Sequence, residues 1–169
     1  MNPVYGVCDA RKTPDMSKDF VHRGGLWVLG QGALLLAVAA LGVVCRGESK
    51  HTLFLIGGLL FLAAAAFSGI AGGAALGRNL TPFPKPSANA QLVQHGIYGL
   101  IRHPLYTSVF CASVGWSLIW QSWPALAVSF LLALFFDAKA RREERWLRQR
   151  FSDYARYEQR VRRFIPWIY

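Results

Sequence analysis

Hydrophobic and polar positions in this chain fall into blocks rather than alternating. Residues 26–45 form an uncharged run of twenty. That matches the roughly 20 residues a helix rising 1.5 Å per residue needs to cross about 30 Å of hydrocarbon. A second uncharged run covers residues 52–77, long enough to span with tilt, and the polar connection 46–51 between the two fits a helical hairpin. Apolar runs of sixteen and thirteen residues follow at 105–120 and 124–136, split by Gln121, Ser122 and Trp123. Each is short for a crossing, but Pro124 suits the first position of a helix. Together they predict a tight helical hairpin with Trp116, Trp120 and Trp123 near the far interface.

The segments between the runs complete the outline. Residues 1–25 form a polar lead with Pro3 and Pro14, and residues 78–103 form a loop in which Pro82, Pro84 and Pro86 cannot propagate a helix. From Asp137 onward the chain is polar, yet Leu147, Phe151, Tyr154, Tyr157 and Val161 recur at spacings of four, three, three and four. That is one helix face, and it predicts an amphipathic helix lying on the membrane surface. The predicted fold is therefore all-α: a polytopic transmembrane bundle of about four spans, the last two a short hairpin, with a C-terminal amphipathic helix on the cytosolic face. Gly69 and Gly73 have the small-xxx-small spacing that lets helices approach closely, within one chain or in a homodimer.

Composition changes this picture little and charge orients it. The chain is 53% hydrophobic with a formal net charge of +10. Its basic residues lie beside apolar spans without a nucleic-acid-binding motif, so anionic lipid headgroups at the basic tail are the expected partner and nucleic acid is not. Of the nineteen Lys and Arg, four lie in the lead, three in residues 78–104 and ten after Asp137, against two in residues 46–51 and none in 121–123. An even number of spans with both termini and the 78–104 loop in the cytosol satisfies the positive-inside bias. The expected location is a multi-pass integral membrane protein, as in a prokaryotic inner membrane. The first apolar run is as long as a full crossing, which argues against a cleaved signal peptide. Cys8, Cys45 and Cys111 are odd in number and imply no disulfide framework. His22, His51, His95 and His103 lack the paired spacing of a zinc site, so no metal is expected.

Candidate chemistry gathers on the cytosolic side. In residues 92–106, Pro104 biases His103 away from helix and can itself open one, which puts backbone N–H groups where they can bind an anion. Arg102 can clamp a carboxylate in two-pronged fashion, and Gly96 and Gly99 would admit a flat ligand such as a nucleoside close to the backbone. The competing assignment has Arg102 snorkelling to lipid phosphate and the glycines making turns. Glu143 and Glu144 lie just after the last apolar run, on the same cytosolic side. Adjacent helical residues point about 100° apart, so at most one aims into a pocket while the other pairs locally. Lys139, four residues before Glu143, is a candidate for such a pair.

The ordered set Leu92, Val93, Gly96, Tyr98, Arg102, His103, Pro104 and Tyr106, then an apolar hairpin, then Glu143, Glu144, Leu147, Phe151, Tyr154, Tyr157, Val161, Ile165 and Pro166, resembles the isoprenylcysteine carboxyl methyltransferase and phospholipid methyltransferase family of integral membrane enzymes. The resemblance makes residues 78–169 the methyltransferase-like region, after a polar cytosolic lead at 1–25 and a two-helix transmembrane hairpin at 26–77. It implies S-adenosyl-L-methionine bound at the cytosolic face, with Val93, Gly96, Tyr98, Arg102, His103, Pro104, Tyr106, Glu143 and Glu144 around it. It also implies Lys139 and Glu144 as catalytic residues, and a lipophilic acceptor: a prenylcysteine-like carboxylate, a thiol or a phospholipid amine. Two positions depart from the family pattern, Ser108 where many members have Gly and Lys139 where the prenylcysteine enzymes commonly have Arg. Lys does not reproduce the two-pronged grip of Arg, so the acceptor stays open. The alternatives are a membrane lipid reductase using NADPH on a related scaffold, and a non-enzymatic membrane scaffold protein.

Overall fold

The computed structural model of the protein describes residues 24–48, 51–81, 83 and 91–169. The lead up to residue 23 and the Pro82, Pro84 and Pro86 run lie outside the described residues. The described residues form five α-helices in order: α1 (Gly25–Val44), α2 (Thr52–Leu76), α3 (Pro104–Ile119), α4 (Trp123–Arg150) and α5 (Tyr154–Arg160). Single 3-10 turns at Gly77–Asn79 and Gly96–Gly99 flank the loop between α2 and α3. Among the described residues there is no strand, only one isolated parallel bridge between Ile101 and Arg162.

Among the described residues, three helical stretches are long and apolar enough to cross a membrane: Gly25–Val44, Thr52–Asn79 and Trp123–Arg150. α3, with 16 residues, is shorter. Their outer faces carry Leu36, Leu53, Ile70 and Leu134, each more than 70% exposed. In water such a surface would drive association, whereas in hydrocarbon it has no cost.

α3 is the hub. α2 packs along it, α4 returns beside it, and α1 rests mainly on α4 with a smaller contact to α3. The consecutive helices α1 and α2 thus pack on other elements rather than as the hairpin expected from the short 46–51 connection. Two glycines set the α2–α3 crossing. A Cβ on Gly58 would stand 2.9 Å from the Gly115 carbonyl oxygen, and one on Gly115 would stand 2.8 Å from that of Gly58, so the backbones touch only because neither residue has a side chain. Further along, Ser108 donates to the Ala65 carbonyl at 2.7 Å and would meet a Cβ on Gly69 at the same distance. Gly69 is therefore used within the chain, and a Cβ on Gly73 would meet nothing within 4 Å.

The α3–α4 hairpin forms as the apolar runs suggested. Ser122 caps α4 by accepting from Ala125 N, and its hydroxyl donates to Leu41 O in α1 at 2.9 Å. α4 does not stop where its charges begin. Residues 138–150 are almost all good helix formers, so the helix carries straight on to Arg150. Phe151 is extended and ends it. This corrects the expected C-terminal amphipathic surface helix: Leu147 belongs to α4, Phe151 to the break, and only Tyr154 and Tyr157 to the short α5. Their common face points into the protein, where Tyr154, Tyr157 and Val161 are buried against Leu92, Leu147 and Phe151. The physical reason is a better partner than lipid: Tyr157 donates its hydroxyl to the Tyr98 carbonyl at 2.7 Å, a bond that hydrocarbon cannot supply.

The crossing is testable by thermal unfolding in detergent. Gly58→Val should destabilise by about 1–3 kcal/mol through overpacking, while Gly73→Ala should leave the midpoint unchanged or slightly higher. Equal loss from both would mean that Gly58 and Gly115 do not set the contact.

Candidate functional site

The charged end of α4, the segment 91–103 and the residues after α5 converge on one open cavity of about 820 Å³, part of it open to solvent. Val93, Tyr98, Arg102, His103, Tyr106 and Glu143 line it. So do Leu147, Phe151, Tyr154 and Tyr157, which sequence patterning had assigned to lipid. The tyrosine spacing was the available signal for these four; which side it faced was not legible.

Pro104 opens α3 at its first turn, and His103 before it is non-helical (φ −127°, ψ 58°), as expected of a residue preceding proline. The two backbone N–H groups there are not open to an anion. Arg102 N donates to Arg162 O at 2.9 Å and His103 N to Arg163 O at 3.1 Å, because the last segment of the chain lies alongside. Gly96 does not line the cavity; its φ of +60° marks a turn that favours glycine. Pro104 packs on Gly72 of α2.

The Glu pair divides as helical geometry requires. Glu143 faces the cavity and accepts the Tyr106 hydroxyl at 2.6 Å. Glu144 lies behind the wall, 1% exposed, where Arg163 grips it two-pronged, Nη2 to Oε2 at 2.8 Å and Nε to Oε1 at 3.0 Å. Glu144 Oε1 also takes His103 Nε2 at 3.1 Å and Arg102 Nη2 at 3.2 Å. Glu158 receives Arg102 Nη1 at 3.3 Å and two prongs of Arg148. Neither Arg163 nor Glu158 was picked out from the sequence, since both sit in a basic run where any Arg looks like a surface charge.

Aromatic rings join this cluster to the membrane-embedded part of the bundle. His103 stacks on Tyr106 with centroids 5.2 Å apart, and Tyr106 stacks on Phe136 at 4.9 Å. Lys139, 1% exposed, has its ammonium 5.1 Å from the centre of the Tyr106 ring and donates to Gln31 of α1 at 2.6 Å. Lys139 and Glu144, the pair expected to be catalytic, thus both stand outside the cavity lining and support residues that form it.

The electrostatics leave two donors unsatisfied in the wall. Burial pushes the hydroxyls of Tyr98, Tyr154 and Tyr157 well above the ordinary phenol range, with nearby Glu143 adding to the effect at Tyr98 and Glu144 at Tyr154. They remain O–H donors at physiological pH. The Tyr154 hydroxyl, in a side chain 1% exposed, and Arg102 Nε are both buried without a hydrogen-bond partner among the described residues. An unpartnered buried donor costs about 1–3 kcal/mol, and two in one cavity mark a place shaped for a ligand that accepts hydrogen bonds.

Comparison with known proteins agrees with this architecture. The phospholipid methyltransferase family matches residues 53–154. The chain is 37% identical over 81 residues to a probable protein-S-isoprenylcysteine O-methyltransferase of Oryza sativa, covering 46% of this chain and 42% of that protein. It is 37% identical over 79 residues to the cobalt-zinc-cadmium resistance protein CzcN of Cupriavidus metallidurans, covering 46% and 37%. It is 29% identical over 132 residues to the protein-S-isoprenylcysteine O-methyltransferase of Schizosaccharomyces pombe, covering 77% and 49%. The matched stretch spans less than half the length of each of these relatives. Because the family match runs from the first turn of α2 to the start of α5, through most of the cavity wall, this chain belongs to the phospholipid methyltransferase family.

Proposed function

We propose that this protein is an integral membrane methyltransferase that uses S-adenosyl-L-methionine to methylate a lipophilic acceptor. The observation that carries the reading is the cavity wall itself, where Glu143, Tyr98, Tyr106 and the two unsatisfied donors of Arg102 and Tyr154 meet at the charged end of apolar helices. This donor set fits the proposed cofactor. A cationic centre is favoured beside the Glu143 carboxylate, and a carboxylate is favoured by two buried N–H and O–H donors. Leu92, Leu105 and Leu147 add apolar wall for a flat ring system. When bound, S-adenosyl-L-methionine supplies a methyl group activated on a sulfonium.

The chain's own residues bind, orient and exclude water. Glu143 is fixed by the Tyr106 hydroxyl and so presents its charge from one place, without searching rotamers. His103 closes the wall, held by Glu144 on one side and stacked on Tyr106 on the other. Lys139 and Gln31 tie α1 to the Tyr106 ring. The acceptor is proposed as lipophilic because the cavity sits at the end of membrane-crossing helices; a prenylcysteine-like carboxylate, a thiol and a phospholipid amine all fit that description. The relatives named as protein-S-isoprenylcysteine O-methyltransferases support the first. Four crossings, with α3 the shortest, and a cytosolic location for both termini complete the reading, with basic residues after Asp137 meeting anionic headgroups.

Two outcomes follow. By calorimetry in detergent, wild-type protein should bind S-adenosyl-L-methionine. Tyr154→Phe should weaken binding about three- to tenfold, the worth of one hydrogen bond, without lowering ligand-free thermal stability, since the hydroxyl has no partner to lose among the described residues. Glu143→Gln should weaken it about tenfold or more. No heat of binding by folded wild type, or binding of NADPH in its place, would overturn the reading. For topology, exposed Cys45 at the end of α1 should react with a membrane-impermeant maleimide only from the non-cytosolic side, in a Cys8→Ser, Cys111→Ser background. Labelling from the cytosolic side would invert the orientation.

A further inference from the structure

The segment after α5 runs back across the site. Ile101 and Arg162 form the parallel bridge, Arg162 and Arg163 supply the carbonyls that receive the Arg102 and His103 amides, and Thr107 donates to Phe164 O at 3.3 Å. Arg163 is the side chain at the centre of this strap. Besides its two bonds to Glu144, its Nη1 donates to Asp137 at 2.9 Å and to the Tyr169 hydroxyl at 3.1 Å. Its guanidinium lies 5.5 Å from the Tyr169 ring centre and is 15% exposed. All three guanidinium nitrogens are engaged by the protein, and Arg163 is not among the residues lining the cavity. It also lies beyond the residues matched by the family, which end at 154.

We propose that Arg163 is a positioning residue for the cavity: by holding both oxygens of Glu144 it fixes the oxygen that orients the His103 ring. The relay runs from Arg163 to Glu144, from Glu144 Oε1 to His103 Nε2, and from the His103 ring by stacking to Tyr106, whose hydroxyl sets Glu143 in the cavity. A planar fork is needed at its head. Arg matches two carboxylate oxygens at once, so the carboxylate cannot rotate; a Lys ammonium is a point charge and leaves rotation free. Arg102 and His103 both approach the same oxygen, Oε1, at 3.2 and 3.1 Å, so a rotated Glu144 would lose both together. This role rests on the reading of the cavity as the cofactor site, while the relay itself exists without ligand.

The test reads the two separately. In ligand-free protein, ¹⁵N imidazole resonances report the His103 ring, with the signal assigned by loss in His103→Gln. Calorimetry reports S-adenosyl-L-methionine affinity, and thermal unfolding reports stability. Arg163→Met should shift the His103 resonances and weaken affinity about tenfold or more, and Arg163→Lys should fail to restore either although it restores the charge. The double variant Arg163→Met with Glu144→Gln should bind no more weakly than Glu144→Gln alone, as expected for residues acting in series. Arg162→Ala, an exposed neighbour whose backbone contacts survive, should change neither reading. Should Arg163→Met not fold, Arg163→Lys carries the same test. A lower unfolding midpoint with unmoved His103 resonances, or full rescue by Lys, would overturn the role and leave Arg163 a stabilising contact. If wild type binds no cofactor, the functional reading fails, and the His103 shift still decides the relay.

Discussion

A carboxylate that is 1% exposed cannot stay charged unless the protein surrounds it with cations and donors, and Glu144 is the place where this chain meets that requirement. Its partners come from three places: Arg102 and His103 before α3, Arg148 one turn along α4 at 3.9 Å, and Arg163 after α5. Opening any one of these weakens the compensation of the buried charge and shifts its burden onto the partners that remain. The polar segments that hydrophobic packing does not organise are organised here. With Glu144 held, the segment 91–103 lies against the end of α4, the strap lies against that segment, and the cavity is the space left between them.

The membrane-embedded half obeys simpler rules, and the sequence patterning reached most of it. Long uncharged runs at 26–45 and 52–77 became α1 and α2, and the shorter runs around Gln121 became the α3–α4 hairpin, because spans in lipid need only length, apolarity and internal backbone bonding. Patterning missed which helices touch. That depends on where backbones can meet, at Gly58 with Gly115 and at Gly69 with Ser108, and a glycine's partner is not encoded in its own spacing. Ser108 replaces the Gly common at this family position without spoiling the approach, since its hydroxyl finds the Ala65 carbonyl.

At the site, residue types were legible and directions were not. The 100° step along a helix required Glu143 and Glu144 to part, and they do; only the coordinates show that Glu143 takes the cavity and Glu144 the ion cluster. Leu147, Phe151, Tyr154, Tyr157 and Val161 were read as one face of one helix; they come instead from α4, the break after it, α5 and the residue beyond, and gather against the protein, because periodicity says nothing about whether a face meets lipid or protein. The helix start at His103 looked like an anion site until the strap occupied its amides, a contact between residues 60 apart in sequence (Arg102 with Arg162, His103 with Arg163) that local reasoning does not reach. Glu144 and Lys139 act on the cavity through His103 and Tyr106, which separates their importance from contact with ligand.

The central claim is that the space bounded by Tyr98, Glu143 and Tyr154 is where the cofactor binds. A crystal structure grown from a lipid mesophase with saturating S-adenosylhomocysteine tests it most directly. Ligand density is expected in that cavity, with a carboxylate oxygen within hydrogen-bond distance of the Tyr154 hydroxyl or Arg102 Nε. A fully occupied ligand elsewhere on the protein, or an empty cavity at saturation, would contradict it.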